Sequence, residues 1–275
     1  MWNWYSYRNW SGEMMEWWST DVSWWTLALL LAAGFLAAWI DAIVGGGGVI
    51  SLPAVLLTGI PPTTALGTNK LAAIAGVVTA SVTFWRGGRV RKRLVMRLFP
   101  VAVAAAALGS YTVMHVPPMY LEPIIIAALL AVSGFVLLKK DLGRVASYRG
   151  ERTKIWLLMV LMTMAFAFYD GFIGPGTGAF FMMAFATLGF DFVHASGNSR
   201  VLNLGSNLGS LLFFLTVGEV HLLYGVVMAC GMTAGGYVGA RTAMSRGAGF
   251  VRIVFMLVTG SMILRLGWQY LAGGQ

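Results

Sequence analysis

Four charged residues stand inside long apolar stretches: Asp41, Lys70, Asp170 and Arg200. A charge at the centre of a membrane helix costs about 2.5–3.5 kcal/mol on insertion scales, so such residues normally face a cavity and have partners. They form two matched sets. Asp41 opens the string Asp-Ala-Ile-Val-Gly-Gly-Gly-Gly, and Ala65-Leu-Gly-Thr-Asn-Lys70 follows. Asp170 opens Asp-Gly-Phe-Ile-Gly-Pro-Gly-Thr, and Ala195-Ser-Gly-Asn-Ser-Arg200 follows. Acid and cation are 29 residues apart in the first set and 30 in the second. Gly88-Arg-Val90 likewise matches Gly218-Glu-Val220. The chemistry offered is oxyanion binding. Lys70 and Arg200, with Thr68, Asn69, Asn198, Ser199, Asn203 and Asn207, present cations, hydroxyls and amides. Read as small-residue turns at helix starts, the two cation strings would add the partial positive charge of a helix N-terminus. The glycine breaks at Gly47 and Gly48, and at Gly176 and Thr177, would free backbone groups toward the same ligand. Asp41 and Asp170 are then candidates for coupling or gating. The alternative, that the cations only neutralise the buried aspartates, stays open at this point.

The elements that must position these residues are membrane helices. Hydrophobic residues make up 58% of the 275, and only 11% are charged, against roughly 25% in a soluble domain. This excludes a soluble enzyme, a disordered chain and a disulfide scaffold, and leaves lipid as the solvent. Apolar runs at about 24–44, 64–86, 94–116, 119–139, 154–173, 192–217, 221–243 and 249–272 each reach the roughly 20 residues that span a bilayer. Shorter runs at 47–60 and 177–190 each follow a glycine-rich break. The expected fold is an all-α polytopic membrane protein of ten elements, eight full spans and two short helices.

Charge placement sets the topology. All but four of the 19 Lys and Arg residues fall in 86–97, 139–154 and 241–252. Short basic loops between apolar runs belong on the cytoplasmic side, which also argues against nucleic acid as a partner for this +9 chain. The turns at 116–119 and 217–221 carry no Lys or Arg and should be external. The short runs must then carry the chain across, giving five elements per half and both termini periplasmic. An odd number per half inverts the second copy, the usual architecture of secondary transporters with broken helices. The expected organisation is a Trp-rich interfacial segment at 1–25, a first repeat at 26–140, a basic linker at 141–153 and a second repeat at 154–275.

Other residues are assigned bland roles. His115 and His194 are expected at interfaces; Glu122, Asp191 and Glu219 are expected solvated near turns. Met182, Met183 and the Phe166–Phe181 aromatics are expected to pack, and Arg265 to snorkel. The lone Cys230 excludes an internal disulfide and a cysteine metal cluster. No P-loop, nucleotide fingerprint or metal motif occurs, so no cofactor and no metal is expected. An intramembrane aspartyl protease is disfavoured, because its Gly-x-Gly-Asp order is reversed here. A passive anion channel is the stronger alternative to a carrier.

The strings Asp41-Ala-Ile-Val-Gly-Gly-Gly-Gly, Leu52-Pro-Ala, Ala65-Leu-Gly-Thr-Asn-Lys70, Tyr169-Asp-Gly-Phe-Ile-Gly-Pro-Gly-Thr-Gly178 and Leu202-Asn-Leu-Gly-Ser-Asn207 resemble the TauE/SafE sulfite-exporter family of permeases. Its YfcA-like branch is the nearest likeness. The resemblance spans about 27–270 and omits the Trp-rich start. It implies an inner-membrane permease for sulfite, sulfonates or other organosulfur anions, not an enzyme. Its partners would be a small anionic substrate and membrane lipid, with a homo-oligomer left open.

Overall fold

The computed structural model describes residues 23–117, 119–121, 124 and 153–272, with backbone alone for 247–249 and 251–272. The Trp-rich segment up to residue 22, most of the expected span 119–139 and nearly all of the basic linker lie outside the described residues. Among the described residues, eight helices can be bounded, in order α1 (Trp24–Val44), α2 (Gly48–Leu56), α3 (Pro62–Arg86), α4 (Lys92–Val113), α5 (Thr153–Phe172), α6 (Thr177–Thr187), α7 (Phe192–Thr216) and α8 (Leu222–Ala272). There is no strand among the described residues. Among the described residues, five stretches are long and apolar enough to cross a membrane: α1, α3, α4, α5 and Leu222–Arg246 of α8. Their outer faces expose Leu29, Leu36, Leu108, Leu157 and Leu161. Side chains of this kind on spans of this length belong in lipid.

Local chemistry sets the helix ends. The Ser23 hydroxyl caps α1, accepting from Trp25 N. Asp191 caps α7, accepting from Val193 N at 3.0 Å and His194 N at 3.1 Å. Proline at the first position of α3 loses no hydrogen bond there. Helices α1 and α5 stop at Gly45 (φ +87°) and Gly174 (φ +98°). Each lies four residues after its aspartate, in a left-handed conformation that glycine alone adopts without strain.

Close contacts give the helix directions. Gly231, Gly235 and Gly239 of α8 lie against the carbonyls of Leu31, Phe35 and Trp39, leaving no room for a Cβ. Small residues at every fourth position let backbones approach in this way. Both sets of numbers rise together, so α1 and α8 are parallel. Leu71 beside Gly225 and Gly87 beside Met244 make α3 parallel to α8 as well. On the other side, Phe99 beside Gly205 and Val103 beside Gly209 make α4 parallel to α7. Arg97 over Trp156 and Ala106 against Gly171 make α5 parallel to α4. Between the groups, Gly67 meets Phe214 while Phe84 meets Gly197, so α3 and α7 are antiparallel. The molecule is thus two three-helix groups, α1/α3/α8 and α4/α5/α7, running in opposite directions. Segments 45–61 and 173–191, which contain α2 and α6, return the chain between parallel neighbours.

The fourth helix of each half belongs to the other half's group. Helix α4 packs on α5 and α7, and α8 on α1 and α3. The cations outside the site whose side chains are described, Arg86 to Arg97 with Lys154, Arg241 and Arg246, gather at one end of the helices.

One expectation is corrected. A turn at 241–252, followed by a separate span at 249–272, is replaced by unbroken helix. No proline interrupts Arg241-Thr-Ala-Met-Ser-Arg-Gly-Ala-Gly-Phe-Val-Arg252, and the i→i−4 bonding continues through it. At about 1.5 Å per residue, the 51 residues of α8 far exceed a hydrocarbon core of roughly 30 Å.

Candidate functional site

Asp41 and Asp170 occupy the last turns of α1 and α5, just before the glycines that end those helices. Lys70 and Arg200 sit in the third turns of α3 and α7. The strings Ala65–Lys70 and Ala195–Arg200, read from the sequence as turns, are therefore helical. Their helices begin earlier, at Pro62 and Phe192, and the helix-start argument does not apply to these cations.

Each acid pairs with the cation of the opposite half. Lys70 Nζ donates to Asp170 Oδ1 at 2.8 Å and to the Asp170 carbonyl at 2.5 Å. The second carboxylate oxygen accepts from the Ser206 hydroxyl and, at 3.3 Å, from Asn207 Nδ2. Asn207 is itself held by the carbonyl and amide oxygens of Asn203. Arg200 Nη1 pairs with Asp41 Oδ2, and Gly47 N donates to Asp41 Oδ1 at 3.1 Å. Both pairs cross from one helix group to the other. Lys70 and Arg200 are among the largest fully buried side chains, whereas the Asp41 side chain retains 16% exposure. Removing one member of such a pair strands a buried charge, typically at about 3–5 kcal/mol.

The two helix breaks meet between the pairs. Ala179 N donates to the Gly45 carbonyl at 2.8 Å, and Gly48 packs on the Pro175 backbone. Gly178 lies flat on the Arg200 guanidinium, and Gly174 on the Lys70 amine, where a Cβ would stand 2.8 Å from Nζ. Helices α2 and α6 start here, capped by Gly47 and Gly176. The Thr177 hydroxyl closes the second break by donating to the Gly174 carbonyl at 2.7 Å.

A cavity lies at this junction and offers about 40 Å³ to the centre of a water molecule. One water needs roughly 10–15 Å³ on that measure. Asp41, Lys70 and Asp170 line it, as do Gly47, Gly48, Gly176 and Thr177 at the two helix starts. Asn69, Asn203 and Asn207 add amides. The Asn69 amide oxygen is buried and has no hydrogen-bond partner among the described residues. The remaining wall is largely small and apolar, built from Ala37, Ala38, Ala73 and Gly76. A cation, side-chain amides and two positive helix ends converge on this space.

Four of the residues expected to touch a ligand do not line the cavity: Thr68, Asn198, Ser199 and Arg200. Thr68 Oγ1 accepts from His221 N at 2.8 Å, holding the start of α8. Asn198 Oδ1 accepts from Arg91 N at 2.7 Å, holding the start of α4. These are equivalent roles, each two residues before the cation. Ser199 Oγ donates to the Ser196 carbonyl and accepts from Arg200 Nη2. Arg200 stands behind Gly178 and Asp41, which face the space in its place. The matching turns also gain a reason. The carbonyls of Arg89 and Glu219 dock on Gly197 and Gly67 of the opposite half, where no Cβ fits.

Glu219 is not freely solvated as expected. Its carboxylate accepts from Thr63 and Thr64 at the start of α3, at 3.1 and 2.5 Å. Asp191 is an N-cap and also pairs with the His194 ring. Burial pushes its carboxyl up, but the hydrogen bonds from His194 and Val193 prevail and hold it below the usual carboxylate range. Sequence reasoning missed Ser206 as a holder of Asp170. Its signal was the position three residues after Asn203, on the same helix face.

The family profile described as sulfite exporter TauE/SafE matches residues 30–266. A probable membrane transporter protein, ORF9, of Sinorhizobium sp is 36% identical over 247 residues, covering 90% of this chain and 94% of that protein. A probable membrane transporter protein of Haemophilus influenzae is 36% identical over 247 residues, covering 88% and 96%. The probable membrane transporter protein YfcA of Escherichia coli K12 is 33% identical over 245 residues, covering 87% and 89%. No solved structure matches.

Proposed function

The chain belongs to the sulfite exporter TauE/SafE family of membrane transporters, and on that premise we propose that it is a secondary permease for small anions, with sulfite, sulfonates and related organosulfur anions as substrates. The observation that carries this reading is the placement of both buried ion pairs. Each bridges the two oppositely directed helix groups, and both flank one cavity at the helix breaks. Rocking one group against the other, the alternating-access movement of inverted-repeat carriers, would part and reform them.

The opposite running directions of α1 and α5, α3 and α7, and α8 and α4 support an inverted repeat. In this mechanism the anion binds Lys70, the Asn69 and Asn207 amides and the starts of α2 and α6, taking the place of a carboxylate. Asp41 and Asp170 serve as coupling or gating acids. An acid that loses its cation to substrate is left unpaired in a low-dielectric site. Uptake of a proton relieves that cost and links proton movement to anion movement. Arg200 contributes by holding Asp41 rather than by touching substrate. The basic end is placed on the cytoplasmic face of the inner membrane, and the N-terminus in the periplasm. A periplasmic C-terminus would need the turn that α8 does not make, so only the N-terminal side is proposed.

The test is counterflow in proteoliposomes against sulfite, sulfoacetate, taurine and an aryl sulfonate. Saturable exchange of at least one, abolished by Lys70→Gln, supports the carrier. Non-saturable flux of any small anion identifies a channel instead.

A further inference from the structure

Between α3 and α8, away from the cavity, lies a groove of about 580 Å³. Val78, Val82 and Tyr237 form its apolar length, each about two-fifths exposed. Thr79 and Thr83 also line it, but their hydroxyls donate to the carbonyls of Ala75 and Thr79, which spends their polarity on the helix backbone. Arg86, the last residue of α3, and Arg241 of α8 line the same groove. No carboxylate is among the described residues lining it. The Arg241 guanidinium rests over the Tyr237 ring, 4.8 Å from its centroid, which limits its freedom in advance of any ligand. The neighbouring Trp85, with Lys92 at 5.0 Å from its ring, marks this level as the membrane–water interface, where tryptophan prefers to lie.

We propose that this groove binds an anionic glycerophospholipid, with its phosphate between Arg86 and Arg241 and an acyl chain along Val82, Val78 and Tyr237. Charge complementarity and depth choose the occupant. An apolar furrow in contact with hydrocarbon takes an acyl chain, and two arginines at its basic end take a phosphate bearing net negative charge. A zwitterionic headgroup presents the same phosphate with its charge cancelled. The occupant would bridge the C-terminal end of α3 to α8, stapling one helix group without touching the interface between groups.

The experiment is native mass spectrometry of the full chain released from nanodiscs of phosphatidylglycerol mixed with phosphatidylethanolamine. The wild type should retain phosphatidylglycerol in preference to phosphatidylethanolamine. Arg86→Gln with Arg241→Gln should lower that retention at least tenfold. Arg89→Gln with Arg93→Gln, the same charge change at the same end but off the groove, should leave it within twofold. Val82→Trp, which fills the furrow and keeps both arginines, should lower retention as well. Unchanged retention in the groove double variant or in Val82→Trp overturns the site. An equal loss in the off-groove variant also overturns it, because binding would then follow net charge alone.

Discussion

The two halves carry the same acid, break and cation, yet they surround their acids differently. Asp170 is held by Ser206 and Asn207, with Asn203 behind them, all from α7. The positions that match these on α3 are Gly76, Val77 and Ala73, and all three line the cavity. Where one half fills the space beside its acid with hydroxyl and amide groups, the other leaves it open. The lesson is that the cavity is a property of the asymmetry. Polar residues of α7 hold the Asp170 carboxylate at the cavity wall, while small residues leave Asp41 facing the space. The cations differ in the same sense, with Lys70 lining the cavity and Arg200 screened from it by Gly178.

The largest expected effect tests that screening. Asp41→Asn should strand the Arg200 charge and lower stability by about 3–5 kcal/mol, with much of the loss recovered on adding Arg200→Gln. Thermal unfolding in detergent, run as a double-mutant cycle, measures this, and strictly additive effects would break the pairing. Lys70→Gln should instead act on the ligand. It also takes the cation from the buried Asp170 carboxylate, but that group keeps its bonds to Ser206 and Asn207, so the loss of stability should be smaller than for Asp41→Asn and the protein should still insert and fold. Uptake should fall tenfold or more, about 1.4 kcal/mol. Normal transport by this variant would move the site away from Lys70.

Making the halves alike sharpens the comparison further. Ser206→Ala should cost about 1–3 kcal/mol by taking a donor from a buried carboxylate. Gly76→Ser should cost a similar amount by crowding, since a Cβ at 76 stands 3.0 Å from the Ala38 Cβ and the Met232 carbonyl. Only the second should also change substrate affinity, because only Gly76 borders the cavity. Equal affinity changes in both variants would deny the asymmetry a role in binding.

The smallest effect concerns the helix starts. Asp191→Ala should destabilise by about 1 kcal/mol, since α7 has a side-chain cap and α3 has none of its own. The Asp191 carboxyl lies below its ordinary range when folded. Its contribution is therefore full above the unfolded carboxylate pKa and is lost as pH falls through the lower folded value. An acid titration of thermal stability, with and without the substitution, reads this directly.

Much of this was legible in the sequence because lipid enforces strict rules. Span length, the basic stretches and the isolated charges pointed to the helices and to the four central residues, and the matched spacing pointed to two equivalent sets of acid, break and cation. What stayed illegible turned on local geometry. Gly-Thr-Asn reads as a turn by composition, but Lys70 needs the rigidity of a helix to reach Asp170. Thr68 and Asn198 have the side chains of ligand groups. They are occupied by the backbone amides of His221 and Arg91 respectively, which lie far away in the chain and which only tertiary packing brings near. The continuity of α8 past Arg241 depends on hydrogen bonds that a charge cluster and two glycines do not forbid.

The exchange of fourth helices has a consequence for biogenesis. When the first half has left the ribosome, Asp41 and Lys70 are already in the membrane, and neither Arg200 nor Asp170 has been made. Helix α4 has no α5 or α7 to cover its small-residue face, and α1 and α3 wait for α8. The nascent chain must therefore be sheltered by the insertion machinery with two unmatched charges, each disfavoured by about 2.5–3.5 kcal/mol in lipid. The half-made protein is not a smaller transporter but an unfinished one. Its two genetic halves, expressed apart, should persist only when each is present to complete the other.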